Sequence, residues 1–342
     1  MILLSRVADC MYWLSRYIER AENTARMVDV NLQLLLDLER LDDSRITAHW
    51  EPLIKSTGDL ALFNKFYEHA DSESVTDFLT FNTGNPSSIL SCVVTARENA
   101  RMVRDKISTE VWEEINRLYH YVRSQSAKKI WASDPYDFYR EIKQSSLLLQ
   151  GLGDSTVVRD EGWEFLQVGR YLERAIQTNI LVDVKYHILL PSTRDVGGAI
   201  DALQWMAVLR SCSGFEAYHH IYGADVQPWN VAEFLILSEE FPRSILFCLR
   251  YLDACIRTIS GVREGRFSNH AGKLAGRLLY ELNYSTVDDI FEAGLHQYLG
   301  NLQRRTEEIG QALYEAFLFF PVVDHAKEIA GQTQKQDTLP GG

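Results

Sequence analysis

Arginine, glutamate and tyrosine recur at the same offsets in two stretches of this chain that lie 154 positions apart. Residues 16–30 read RYIERAENTARMVDV and residues 170–184 read RYLERAIQTNILVDV, identical at nine of fifteen positions. At about 100° per residue, Arg16, Glu19, Arg20 and Asn23 share one strip of a helix, as do Arg170, Glu173, Arg174 and Gln177. The second copy replaces Glu22 by Ile176 and Arg26 by Ile180, so its helix is apolar around most of its circumference, the mark of burial. A charged strip on a buried helix has three possible uses. Its guanidinium groups can hold carboxylates bidentately. A glutamate with a pKa raised by desolvation can serve as general base while neighbouring arginines stabilise an oxyanion. Or the charges can pair with one another and join the two helices.

A second charge-rich stretch, Thr95 to Arg104, places Arg97, Arg101 and Arg104 opposite an apolar stripe of Val93, Ala96, Ala100 and Val103. Such an arginine face suits a carboxylate or phosphate, or it is simply solvated and acid-paired. Pooling both stretches, the expected catalytic candidates are Glu19, Glu98 and Glu173. The expected substrate-binding residues are Arg16, Arg20, Asn23, Arg97, Asn99, Arg101, Arg170 and Arg174, lining one polar cavity between the two copies.

Other chemistries find little support. Glu216 and His219 have the Glu-x-x-His spacing of di-iron bundles, but no second copy or HExxH accompanies them, so no metal site is expected. No phosphate-binding glycine loop follows a strand, and no nucleophile elbow is present.

The elements that must position these residues are helices. With eight prolines and few strand-like alternations, the pattern predicts helices at about 8–38, 47–56, 59–69, 72–80, 87–125 (broken near Ser108), 135–150, 160–190, 195–222, 230–237, 241–260, 268–283 and 287–319. Asp160 is the expected N-cap of the second motif helix, Gly151–Gly153 reads as a turn, and Pro191 and Pro321 read as helix stops. The expected fold is all-α, a multi-helix bundle built from two related halves with pseudo-twofold repeat helices. Residues 1–320 form one domain, with halves at about 1–155 and 156–320, and residues 321–342 form a largely disordered tail.

Net charge is −12 from 35 basic and 47 acidic residues, which argues against nonspecific nucleic-acid or anionic-membrane binding. The apolar start is interrupted by Arg6, Asp9, Arg16 and Glu19, so it reads as neither signal peptide nor membrane span. Cys10, Cys92, Cys212, Cys248 and Cys255 are odd in number and set among apolar residues, as expected of reduced core thiols in a cytoplasmic protein.

The opening SRVADCMYWLSRYIERAENTARMVDVN resembles the start of the bacterial alpha-E family. The likeness continues through Asn85-Pro-Ser-Ser-Ile89, Ala96-Arg-Glu-Asn-Ala-Arg101, Arg159-Asp-Glu-Gly-Trp163, Gly169-Arg-Tyr-Leu-Glu-Arg-Ala175, Phe215-Glu-Ala-Tyr218, Val231-Ala-Glu-Phe234 and Phe241-Pro-Arg-Ser244. The chain departs from the family pattern at His219-His220, where basic residues such as arginine are expected. The resemblance implies an all-helical protein whose genes neighbour or fuse with circularly permuted ATP-grasp proteins, often near a transglutaminase-like protease. It thus implies a helical partner of an ATP-grasp ligase that makes amide or peptide bonds. The chain itself would carry no cofactor, with ATP and Mg on the ligase and a small peptide or amine as substrate. A stand-alone enzyme using a buried glutamate, and a structural adaptor with a self-satisfied ion network, are the alternatives.

Overall fold

The computed structural model describes residues 5–40, 50–187 and 198–318. Among these the regular elements are sixteen α-helices and one π-helical turn, with no strand. In chain order they are α1 (Ser5–Arg40), α2 (Glu51–Ser56), α3 (Leu60–Phe63), α4 (Ser72–Thr80), α5 (Ile89–Met102), α6 (Thr109–Arg123), α7 (Ala127–Ala132) and α8 (Pro135–Thr156). Then follow α9 (Glu161–His187), α10 (Ala199–Ser211), α11 (Phe215–Tyr222), α12 (Pro228–Leu237), α13 (Ile245–Ser260), α14 (His270–Tyr284), α15 (Val287–Glu292) and α16 (Leu295–Leu313). The π-helical turn, Tyr314–Leu318, continues α16.

The two motif helices form the centre. Helix α1 runs for 36 residues because no glycine or proline occurs within it. Helix α9 begins where the Asp160 carboxylate accepts from the backbone N–H groups of Gly162 and Trp163, the expected N-cap. Contacts ascend together along both helices. Gly169 lies against Tyr12 and Ser15, Glu173 meets Arg16 and Arg20, and Leu181 and Val184 line a hollow with Met27, Val30 and Leu34. The pair therefore runs parallel. At Gly169 a methyl group would lie inside 3.0 Å of the Tyr12 carbonyl oxygen and of Ser15 Oγ, so only glycine permits this approach. Around the pair, α1 packs on α5, α8 and α10, and α9 packs on α13, α16 and α2.

Several expected boundaries shift for local reasons. The stretch expected as 195–222 divides into α10 and α11 at Ser213, whose φ of 52° is left-handed, followed by Gly214. That expected as 287–319 divides at Gly294, φ 81°. Gly151–Gly153 is no turn but lies inside α8, where Gly153 is buried beside Trp163 and its packing overrides a weak helix former. The break near Ser108 falls as expected, with the Ser108 hydroxyl capping α6. Pro191, Pro321 and the tail 321–342 lie outside the described residues.

Candidate functional site

Each motif glutamate reaches across to the other copy, Glu173 to two arginines and Glu19 to one. Glu173 Oε2 accepts from Arg16 Nε at 2.7 Å and from Arg20 Nη2 at 3.0 Å. Its Oε1 accepts from Arg20 Nε at 2.7 Å and from Gln177 at 3.0 Å. In return, Glu19 Oε1 accepts from Arg174 Nη2 at 2.5 Å and from Gln150 of α8 at 2.9 Å, and Oε2 accepts from Arg174 Nε at 3.2 Å. The two carboxylates are buried, and the guanidinium of Arg174 is nearly so. All four oxygens are thus occupied by donors, the condition under which buried charge is tolerated. Asn23 turns inward on its own helix and donates to the Glu19 carbonyl.

Electrostatics follow this geometry. Burial alone would raise the Glu173 carboxyl, but the guanidinium groups of Arg20 and Arg16 overcome it and hold the group at about 2. The raised pKa that a general base would need is absent at Glu173. The expected rise by desolvation is reversed there because the arginines that cross from the other helix outweigh it.

The network extends beyond the motif copies. Glu22 is fully buried and accepts from Arg26 at 2.6 Å, from Arg243 Nη2 at 2.5 Å and from Ser146 Oγ at 2.6 Å. Burial would raise this carboxyl too, yet Arg243 and Arg26 bring it down to about 2. Arg243, Gln150 and Ser146 were not among the residues expected from sequence. A signal for Arg243 exists. Asn85-Pro-Ser-Ser-Ile-Leu-Ser-Cys92 and Phe241-Pro-Arg-Ser-Ile-Leu-Phe-Cys248 form a second matched pair, 156 positions apart, in which Arg243 stands opposite Ser87. The two segments fold alike. Ser88 and Ser244 cap α5 and α13, and the Cys92 and Cys248 thiols lie against the carbonyls of Pro86 and Pro242.

The remaining expected residues make no ion pair with this network among the described residues, although Arg170 borders a hollow together with Glu19 and Gln150. Arg170 makes one long pair, 3.4 Å to Asp154. Arg97 donates to Asn116 at 2.6 Å and lies over the rings of Tyr119 and Trp112 on α6. Glu98 pairs with Arg97 and with the exposed Arg101, and Asn99 bonds the Thr95 carbonyl one turn back. These α5 residues face α6 and solvent, and they share no ion pair with the α1–α9 seam. The single polar cavity expected to unite both groups is thus two separate surfaces. Spacing along α5 defines a face but not the neighbour that face meets.

Among the described residues, no three His, Cys, Asp or Glu side chains gather as metal ligands, and no helix is long and apolar enough to cross a membrane. All five cysteines are buried free thiols.

The helices and their crossed Glu–Arg pairs define an all-helical seam protein. The family model of Alpha-E, "a predicted alpha-helical domain with a conserved ER motif", matches residues 3–318. The chain belongs to this family, and Glu19-Arg20 and Glu173-Arg174 are the Glu-Arg steps that meet across its seam. Uncharacterized proteins of Mycobacterium bovis and Mycobacterium tuberculosis are each 23% identical to it over 270 residues, 75% of this chain. The chain spans only 30% of the length of these relatives. No solved structure matches it.

The low pKa values set an acid limit on stability. Glu173 and Glu22 titrate near 2 when folded against an ordinary 4.5. Their stabilisation is therefore complete above 4.5 and is lost as pH falls from there toward 2. The urea midpoint should drop steeply across that window, and less steeply in Glu22→Gln. An unchanged midpoint over the same range would show that these carboxylates are not held ionised by the fold.

Proposed function

We propose that the chain is a non-catalytic helical partner in a bacterial, cytoplasmic ATP-grasp amide or peptide ligase system, with ATP and Mg carried by the ligase. One observation carries this reading: the oxygens of Glu19 and Glu173 are each occupied by guanidinium groups of the opposite helix, which leaves neither motif glutamate free to act as a base. Such a seam holds a shape and does not move a proton. The mycobacterial relatives, in which this region makes up 30% of a longer chain, agree with a module that works beside other machinery. The five buried free thiols suit a reducing compartment.

The same reading makes the chain two related halves about a pseudo-twofold axis running along the α1–α9 pair. Supporting it are the two matched sequence pairs, the reciprocal Glu–Arg exchange and the succession of neighbours. Helices α5 and α8 pack on α1 with α6 bridging them, as α13 and α16 pack on α9 with α14 bridging them, while α2 crosses to α9 and α10 to α1.

The test is co-purification with an ATP-grasp ligase encoded alongside it, followed by mass spectrometry of ATP-dependent amide formation. A stable complex, with product only when both proteins are present, is expected. Turnover by this chain alone would overturn the non-catalytic assignment. Full ligase activity without the chain and without a complex would overturn the partnership.

A further inference from the structure

Between α1, α9 and α16 lies a cleft of about 360 Å³, outside the seam but floored by one of its arginines. Arg16 spends its Nε on Glu173 and its Nη1 on the Tyr12 hydroxyl, while its Nη2 meets no acceptor among the described residues. Glu173 is shared between Arg16 and Arg20, one carboxylate for two guanidinium groups, so this layer keeps an excess positive charge. Across the cleft, Glu307 of α16 accepts only an amide hydrogen from Gln303 and makes no ion pair among the described residues. A cation and a carboxylate therefore border one hollow, and Trp13, Leu172 and Ile176 give it apolar walls.

Two features of α16 keep the hollow open. Gly310 stands in the last turn of α16, where a side chain would press on Leu172 at 3.2 Å and reach toward Arg16 Nη1 at 4.0 Å. One turn later the helix passes into the π-helical turn that sets Tyr314 at the cleft edge. Such turns interrupt a helix at a cost and recur at functional sites.

We infer that this cleft binds a zwitterion, an amino acid or short peptide whose carboxylate meets Arg16, whose ammonium meets Glu307 and whose apolar side chain lies on Leu172 and Ile176. The assignment adds a ligand to the partner reading and rests on that reading only for the ligand's fate. Arg16 is a poor residue to mutate because it also holds the seam, whereas Glu307 is exposed and bonded only to Gln303 one turn back.

The experiment titrates the intact chain with leucylglycine, N-acetyl-leucylglycine and leucylglycinamide by calorimetry, with NMR line-broadening as a second readout. Leucylglycine should bind, and loss of either charge should weaken binding about tenfold or more. Glu307→Gln should weaken leucylglycine about tenfold and leave N-acetyl-leucylglycine unchanged, with an unaltered melting temperature. Gly310→Leu, which fills the hollow, should abolish binding of all three. No binding of any probe at millimolar concentration, or leucylglycine binding indifferent to Glu307→Gln, overturns the site. Complex formation with the ligase is read separately, so failure of one proposal is not failure of the other.

Discussion

Glu173→Gln should lower the free energy of unfolding by about 3–5 kcal/mol, measured by urea denaturation at neutral pH. The substitution keeps the size of the side chain and removes its charge. It strands Arg16 and Arg20, whose side chains are only 12% and 20% exposed, without a counter-ion. Breaking a buried ion group from one side is costly because the remaining charges stay desolvated. Replacing the whole group avoids that penalty, so a triple variant with methionine at Arg16, Arg20 and Glu173 should recover most of the loss. As a surface control, Glu98→Gln should change stability by no more than about 0.5 kcal/mol, because its partners are partly solvated. A Glu173→Gln effect as small as the control would mean that the seam contributes no more than a surface pair.

Gly169→Ala should cost about 3 kcal/mol or more, at or beyond the upper end of ordinary overpacking. The added methyl meets the Tyr12 backbone, which cannot rotate away as a side chain could, so α1 and α9 must separate. Separation lengthens every Glu–Arg bond across the seam, which couples packing to electrostatics. The matched control is Gly151→Ala. That glycine is also in a helix but has nothing within 4 Å of its would-be methyl, so alanine there should stabilise by about 0.5–1 kcal/mol. Chemical denaturation of both variants reads the difference. Equal effects would show that helix propensity, and not the close approach, governs position 169.

The sequence made the helices legible because their signals are local. Periodicity marked α1 and α9, Asp160 and Ser108 marked starts, and the doubled motif marked which helices matter. What it hid was partnership. Glu19 and Arg174 are 155 positions apart, and Glu22 and Arg243 are 221 apart, so no helical wheel could pair them. A lone wheel also favours the raised carboxylate, since desolvation is visible in an apolar circumference and a crossing guanidinium is not. The α5 arginines illustrate the converse limit: their spacing defines a clean face, but tertiary packing lays Arg97 over Trp112 and Tyr119 and leaves Arg101 exposed beside Glu98, away from the seam. Gly153 within α8 and Ser213 at the α10–α11 break record the same limit at the level of boundaries.

The crossed pairing also governs the order of events during synthesis. Glu19 leaves the ribosome 155 residues ahead of its guanidinium partner, a wait of roughly 8–30 s at elongation rates of about 5–20 residues per second. Until Arg174 emerges, the first helix cannot bury its charged strip without leaving it uncompensated. The nascent chain therefore keeps that helix unburied and accessible until Arg174 emerges. That is the interval in which a chaperone, a protease or a partner protein has its access to the strip.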